Sequence, residues 1–258
     1  MNDVLEAKTA NPLRVLTTGS AGSVGRVVAS ALARRGHVVR GFDREASGLL
    51  DDEAVGELSD AAAVAAAVEG MDAVVHLAAY PNPADFVEVL VPSNVVGLYH
   101  VFESAREAGA RRMVLASSVQ AVSGALRSGR RPLSADAPPA PRNGYGLTKA
   151  WAEQMGRMYA DHGWLAGFGV RIGWYPRNRE EADRLEKKGL EDFVLTHDDA
   201  ARFFIHAVEA ADPPNGWATL FAASRPEGEP PPLDLEAAAR LIGYVPRDRY
   251  PEGCRLGE

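Results

Sequence analysis

Thr18-Gly19-Ser20-Ala21-Gly22-Ser23-Val24-Gly25 stands between a short β-branched run, Val15-Leu16-Thr17, and a stretch with Val24, Val27, Val28, Ala31 and Leu32 at helical spacing. The order strand, glycine-rich turn, helix has a specific physical use. Glycines at Gly19 and Gly22 permit a tight turn and let the backbone approach a pyrophosphate, whose charge the helix N-terminus then meets; Ser23 and Val24 open that helix. Gly25 would let the helix pack closely on the strand. Taken alone, three glycines are as easily a bare turn, and the spacing Gly-x-x-Gly-x-x-Gly is not the commoner Gly-x-Gly-x-x-Gly. The next strand decides the matter, because it closes on Gly41-Phe42-Asp43, roughly 20 residues beyond the glycines. An acid there accepts hydrogen bonds from adenosine ribose hydroxyls and repels a 2′-phosphate, so Asp43 favours NAD over NADP. Arg44 pulls the other way, since an arginine can hold that phosphate or stack on adenine.

Outward from this unit the same alternation continues. Residues 37–42, 73–77, 112–116 and 168–172 read as strands; residues 61–68, 86–108, 145–160, 198–210 and 235–242 read as helices. Strands apolar on both faces and interleaved with helices imply a parallel sheet covered on each side, and right-handed crossovers make it doubly wound. The expected fold is therefore α/β, a doubly wound parallel Rossmann sheet. It is read as a single domain, with 13–172 mainly the dinucleotide-binding core and 173–258 mainly a small C-terminal substrate cap. A loop rich in Arg, Pro and Gly (127–141) interrupts the rhythm, residues 177–188 are charge-dense, and Pro213-Pro214 and Pro230-Pro231-Pro232 mark later loops.

Composition bounds the function. The chain of 258 residues is 46% hydrophobic and 24% charged, which excludes wholesale disorder. Its net charge of −7 argues against a nucleic-acid or anionic-membrane partner, both of which need a dense basic face. The one cysteine, Cys254, has no partner for a disulfide or a metal cluster. The N-terminus Met1-Asn2-Asp3-Val4-Leu5-Glu6 carries acids where a leader carries bases, and no apolar run approaches a membrane span. Cytoplasmic localisation is the expectation. The six histidines form no ligand pair, so no metal is expected; His76, on an apolar strand, reads as a packed core histidine. His197-Asp198-Asp199 reads as a helix start, with Thr196 or an aspartate as its cap.

Tyr145-Gly146-Leu147-Thr148-Lys149 sets a phenol and an ammonium at i and i+4, on one helix face. A free tyrosine titrates near ~10, too high for a base at neutral pH. A lysine cation and a nicotinamide cation nearby would lower it and allow proton abstraction from a hydroxyl. Alone, this spacing is usually surface decoration. Ser117-Ser118 close a strand, and the carboxyl ends of parallel strands are where such sheets bind ligands. A hydroxyl there can donate to a substrate oxygen, and Ser118 is preferred to Ser117.

Together these residues resemble the short-chain dehydrogenase/reductase superfamily, in its extended branch of NAD-dependent epimerases and dehydratases. The resemblance runs from residue 13 to about 211 and also rests on His76-Leu77-Ala78-Ala79, Asn94 and Arg171. It implies that Tyr145 is the acid/base, that Lys149 tunes it and holds the nicotinamide ribose, that Ser118 orients the substrate and that Asn94 supports the site and its proton path. It implies cofactor contacts at Leu77, Ala78, Ala79 and Ile172, and at Glu57-Leu58, where relatives carry Asp-Leu against the adenine.

Within the branch the chain is similar to uronate dehydrogenases, which oxidise hexuronic acids at C1, through Asn143 to Lys149, Arg157-Met158-Tyr159, Val170 to Gly173 and His197-Asp198-Asp199. The short segment after Ile172 fits a small, unactivated substrate. The chain departs from that pattern at three substrate positions: Pro81 for Ser, Val119-Gln120 for Asn-His, and Trp174 for Ser. These imply a less hydroxylated or differently shaped substrate. Arg184 is the nearest candidate for the family's carboxylate-binding arginine, against the plainer reading of residues 179–188 as a solvated helix. The expected reaction is NAD-dependent oxidation of a uronate-like sugar acid or related small hydroxylated substrate. The rivals are an NAD-retaining sugar epimerase and a non-catalytic dinucleotide sensor. A homodimer or other homo-oligomer is expected by the same resemblance.

Overall fold

Seven short segments pair into one sheet. The computed structural model describes Leu5, residues 7–228 and residues 230–256; apart from Leu5, the stretch 1–6 lies outside the described residues, and with it the reading of its charge pattern. In chain order the elements are β1 (Arg14–Thr18), α1 (Ser23–Arg35), β2 (Val38–Asp43), β3 (Asp52–Val55), α2 (Ala61–Val68) and β4 (Ala73–His76). A π-helical segment (Phe86–Val96) runs into α3 (Gly97–Glu107), followed by β5 (Arg112–Ser118), a 3-10 turn (Val119–Val122), α4 (Ser123–Leu126), α5 (Gly144–Asp161) and β6 (Ala166–Ile172). The chain ends with α6 (Arg179–Glu186), a 3-10 turn (Glu191–Phe193), α7 (His197–Glu209), β7 (Trp217–Ala222) and α8 (Glu236–Ile242).

All neighbours pair in parallel, in the order β3-β2-β1-β4-β5-β6-β7. The expected doubly wound α/β sheet is thus the observed one. Two cores flank it, because successive strand residues point to opposite faces. Val15, Val75 and Val114 bury with α1 and α7, while Leu16, Val74 and Leu115 bury with α2, α3 and α5. Both faces being covered is why these strands read as unbroken apolar runs.

The structure differs from the sequence reading in three places. The helix expected over 86–108 is π-helical as far as Val96 and α-helical only from Gly97. Pro92 lies inside the first part; it has no N–H to donate and its ring crowds the preceding turn of an α-helix, and the wider winding accommodates it. Strand β3 was not anticipated, nor was β7, which adds to the sheet beside β6. Consequently residues beyond Ile172 serve two layers: α7 packs on α1 and β7 extends the sheet, whereas α6 stands at the strand ends. Thr196 is the N-cap of α7, its hydroxyl accepting from the Asp199 N–H at 3.3 Å, as one of the two anticipated caps. Among the described residues no helix is long and apolar enough to cross a membrane, and no group of three or more potential metal ligands occurs.

Candidate active site

The strand order reverses between β1 and β4, and the crevice at that switch point is where such sheets accept ligands. The glycine loop leaves β1 here. Gly19 has φ +73°, and a Cβ on it would lie 2.6 Å from the Ala78 nitrogen; a Cβ on Gly25 would lie 1.9 Å from the Gly19 carbonyl oxygen. The loop is therefore closed to side chains and presents backbone. Gly22 caps α1 with no side-chain bond, and the first turn carries no acid, so its N–H groups and positive dipole end face a ligand. Asp43 sits at the end of β2, its Oδ2 accepting from the Ala21 N–H at 2.9 Å and its Oδ1 from the Arg44 N–H at 2.7 Å. That carboxylate ties the loop to the neighbouring strand and keeps further acceptor capacity. A backbone cradle, an uncapped helix end and a carboxylate beside them suit a dinucleotide.

Beside the loop lies a cavity of about 380 Å³. Val24, Leu77, Ala79, Pro81, Ser118, Tyr145, Lys149, Ile172, Trp174 and Arg184, all singled out above, line it. Others do not. Gly19, Gly22 and Ala78 belong to the adjoining loops, Ser23 and Gly25 to the first turn of α1 and Asp43 to the end of β2; Arg44 and Glu57 are exposed, and Leu58 packs against Gly97 on α3. Val119, expected to meet substrate, is buried and faces away; the next residue, Gln120, lines the cavity and accepts from the Asn143 amide at 2.6 Å. The strand ends at Ser118, and the first turn after it directs alternate side chains inward. Tyr175, Arg177, Glu181 and Lys188 also line the cavity and were missed. The charge-dense stretch held the signal for the last three, but its long charged side chains read as solvated.

The two serines have separate duties. Ser117 donates to Glu153 at 2.5 Å, whereas Ser118 lines the cavity beside Tyr145 and accepts from the Gln120 N–H at 3.2 Å. The Lys149 ammonium donates to the Ala116 carbonyl at 2.8 Å and lies 5.7 Å from the Tyr145 ring centre. Asn94 is not at the cavity surface. Its amide donates to the Tyr80 carbonyl at 3.1 Å and to Thr148 Oγ1 at 3.3 Å, and its carbonyl accepts from the Tyr80 N–H at 2.7 Å. It pins the chain after β4 to α5, the helix that carries Tyr145 and Lys149.

The electrostatics of the protein alone agree with the expectation that Lys149 and a nicotinamide cation are both needed to lower the phenol. Burial pushes Tyr145 up to about 12, opposed by the Ser118 hydroxyl and by the Arg177 charge. Burial likewise pushes Lys149 down to about 8, opposed by Glu153. A buried phenol needs more positive charge than these neighbours supply, and a dinucleotide whose nicotinamide is cationic brings it.

His76 is a core histidine, as expected from its strand: it is 2% exposed and its Nδ1 lies 2.8 Å from Thr18 Oγ1. Burial, then the Lys149 charge, pushes it down to about 3. The unfolded chain protonates its histidine near 6.5, so acidification from 6.5 toward 3 adds a proton to the unfolded state alone. Stability from this residue is thus full above pH 6.5 and is lost across that window, by at most about 5 kcal/mol. Urea unfolding at pH 7.5 and pH 5 is expected to show this fall in wild type and a shallower one in His76→Gln; equal falls would refute it.

The chain compares with known proteins as follows. The profile described as NAD dependent epimerase/dehydratase family matches residues 15–174. An L-arabinose 1-dehydrogenase (NAD(P)(+)) of Haloferax volcanii is 34% identical over 91% of this chain and 96% of its own. A uronate dehydrogenase of Pseudomonas syringae pv. tomato is 32% identical over 77% of this chain and 70% of its own. Among solved structures, a glucuronic acid dehydrogenase from Chromohalobacter salexigens superposes with a TM-score of 0.78 at 27% identity, covering 93% of this chain and 86% of that one. A mutant uronate dehydrogenase from Agrobacterium tumefaciens complexed with NAD gives 0.74 at 27% identity, covering 92% and 86%.

Proposed function

Because this chain belongs to the NAD-dependent epimerase/dehydratase family, and is an NAD-dependent dehydrogenase of the short-chain type, we propose that it oxidises the C1 hydroxyl of a small sugar or sugar acid. The observation that carries this reading is the cluster of Ser118, Tyr145 and Lys149 on one wall of a cavity that adjoins the glycine loop. NAD, bound along the glycine loop, supplies the acceptor for the hydride that leaves C1.

The protein's own groups handle the proton. Tyr145, as phenolate, takes it from the hydroxyl, while Ser118 donates to the same oxygen and fixes its position. Lys149, held on the Ala116 carbonyl, adds positive charge near the phenol and offers donors to the cofactor ribose. The C1 carbon of a cyclic sugar thereby becomes the carbonyl of a lactone.

Size and charge of the cavity favour a single small, anionic ring. Arg177, Arg184, Lys188 and Lys149 line it against Glu181, the one lining acid among the described residues. Glu181 is committed to Arg177, with the Arg177 Nε at 2.9 Å, whereas Arg184 stands 3.9 Å away. Arg184 and Lys188 are then the groups for a substrate carboxylate, by charge and, for the arginine, a two-pronged fork. Trp174 and Pro81 offer apolar surface where a more hydroxylated substrate would need partners, so pentoses and their acids are favoured over hexuronates.

The test is absorbance of NADH after mixing the protein with NAD and a panel of aldopentoses, aldohexoses and uronic acids. Net NADH with an aldose or its acid supports the proposal. A chain that interconverts sugars while making no net NADH, or that binds NAD and turns over none of them, refutes it.

A further inference from the structure

Farther along α5, past Lys149, a second cavity of about 390 Å³ opens between α5, β6, β7 and α8. It shares no lining residue with the first. Glu153 and Arg171 line it as a buried pair: Arg171 Nε and Nη2 donate to the two oxygens of Glu153 at 2.9 and 2.8 Å. That pair is internally neutral. Arg157, half-buried, and Arg240, exposed, line the same hollow, and among the described residues neither has a hydrogen-bonding or ionic partner. Trp217 lines it too; its side chain is 3% exposed and its buried Nε1–H meets no acceptor.

An unpaired donor is costly when buried, as the Trp217 N–H is, and the like charges of half-buried Arg157 and exposed Arg240 face the same hollow with no counter-charge of their own. Two guanidinium groups and an indole N–H around one hollow ask for a ligand that is negative and accepts only. Exposed Asp136, also on the lining, leaves the set positive. We infer that this cavity is a binding site for a small oxyanion of the phosphate or carboxylate class, gripped by Arg157 and Arg240 with the Trp217 N–H as a neutral donor. The site is not isolated from the first cavity. Glu153, on its wall, accepts from Ser117, which lines the other, so an anion near Arg171 bears on Ser117 through one shared carboxylate.

The inference stands apart from the proposed reaction and is tested without turnover. Thermal unfolding of the NAD-saturated protein, whose glycine loop is then filled, is followed at constant ionic strength in sodium phosphate, sodium malonate or sodium chloride. Wild type is expected to gain about 3–6 °C in phosphate or malonate at tenfold the dissociation constant, relative to chloride. The Arg157→Gln/Arg240→Gln variant loses that gain, each single variant loses part of it, and Arg184→Gln, on the first cavity, retains it. Trp217→Phe removes the indole N–H, together with ring atoms that pack on Gly156, and weakens the response measured against that variant's own chloride baseline. The larger of the phosphate and malonate responses identifies the class. No gain over chloride in wild type, a gain that survives in the double variant, or one lost in Arg184→Gln overturns the inference.

Discussion

Tyr145→Phe is expected to lower turnover about 10²–10⁴-fold while the dissociation constant for NAD stays within about threefold. The reasoning is geometric. The phenol is 8% exposed and lies beside Ser118 on the cavity lining, and removing its oxygen leaves the ring, the helix and the neighbouring Lys149 in place. Only the proton acceptor is gone. Because burial holds the phenol at about 12 in the protein alone, the wild-type rate is expected to climb with pH until the phenolate forms, and the variant's residual rate to lose that climb. Steady-state kinetics with the best substrate of the panel, beside NAD binding by calorimetry, checks both halves. A variant with more than a tenth of wild-type activity would remove Tyr145 from the proton's path.

The second large effect concerns stability. Glu153→Ala is expected to cost about 3–5 kcal/mol of unfolding free energy, because it strands a buried cation. Arg171 is 3% exposed in its side chain and directs two donors at Glu153, its third at the Ala135 carbonyl at 3.2 Å. Ser117 would lose its acceptor as well. Replacing both partners, as Glu153→Met/Arg171→Met, restores stability to within about 1 kcal/mol of wild type, since an apolar pair of similar volume carries no desolvation cost. Urea denaturation of the three proteins measures this; a single variant that loses under 1 kcal/mol would show the pair to be incidental. Glu153 also props up the Lys149 charge, so its loss lowers the lysine further from its ordinary value.

What the sequence disclosed followed the strength of local signals. Gly19, Gly22, Gly25 and Asp43 are read from their place in a strand–turn–helix–strand unit closed by an acid, and the buried strands β1, β4 and β5 each carry a short apolar run. β3 escaped notice because Asp52–Val55 lies at the sheet edge, polar and only partly covered, so no apolar pattern marks it. The π-helical winding was hidden because apolar residues at 86–96 suit either helix, and Pro92 marks the place without naming the outcome. At the site, the helical pair Tyr145 and Lys149 is local and was visible. The Glu153–Arg171 pair joins a helix to a strand, and Val119 was mistaken for Gln120 because one step around a turn reverses a side chain. Contacts made across the fold leave no trace in spacing.

The reversal of strand order between β1 and β4 has a consequence for how the chain assembles. Every partnership in the sheet is parallel, and the register Val15↔Ala73, like Arg112↔Ala166, closes a much longer stretch of chain than Arg14↔Val38. Loop closure costs entropy that grows with the chain enclosed, and distant pairings form slowly. The crevice at that switch point is therefore the seam of the molecule, completed only when the β1–β3 half finds the β4–β7 half. A ligand lying across that seam fastens together two parts of the polypeptide that the chain itself joins only by closing one of its longest loops.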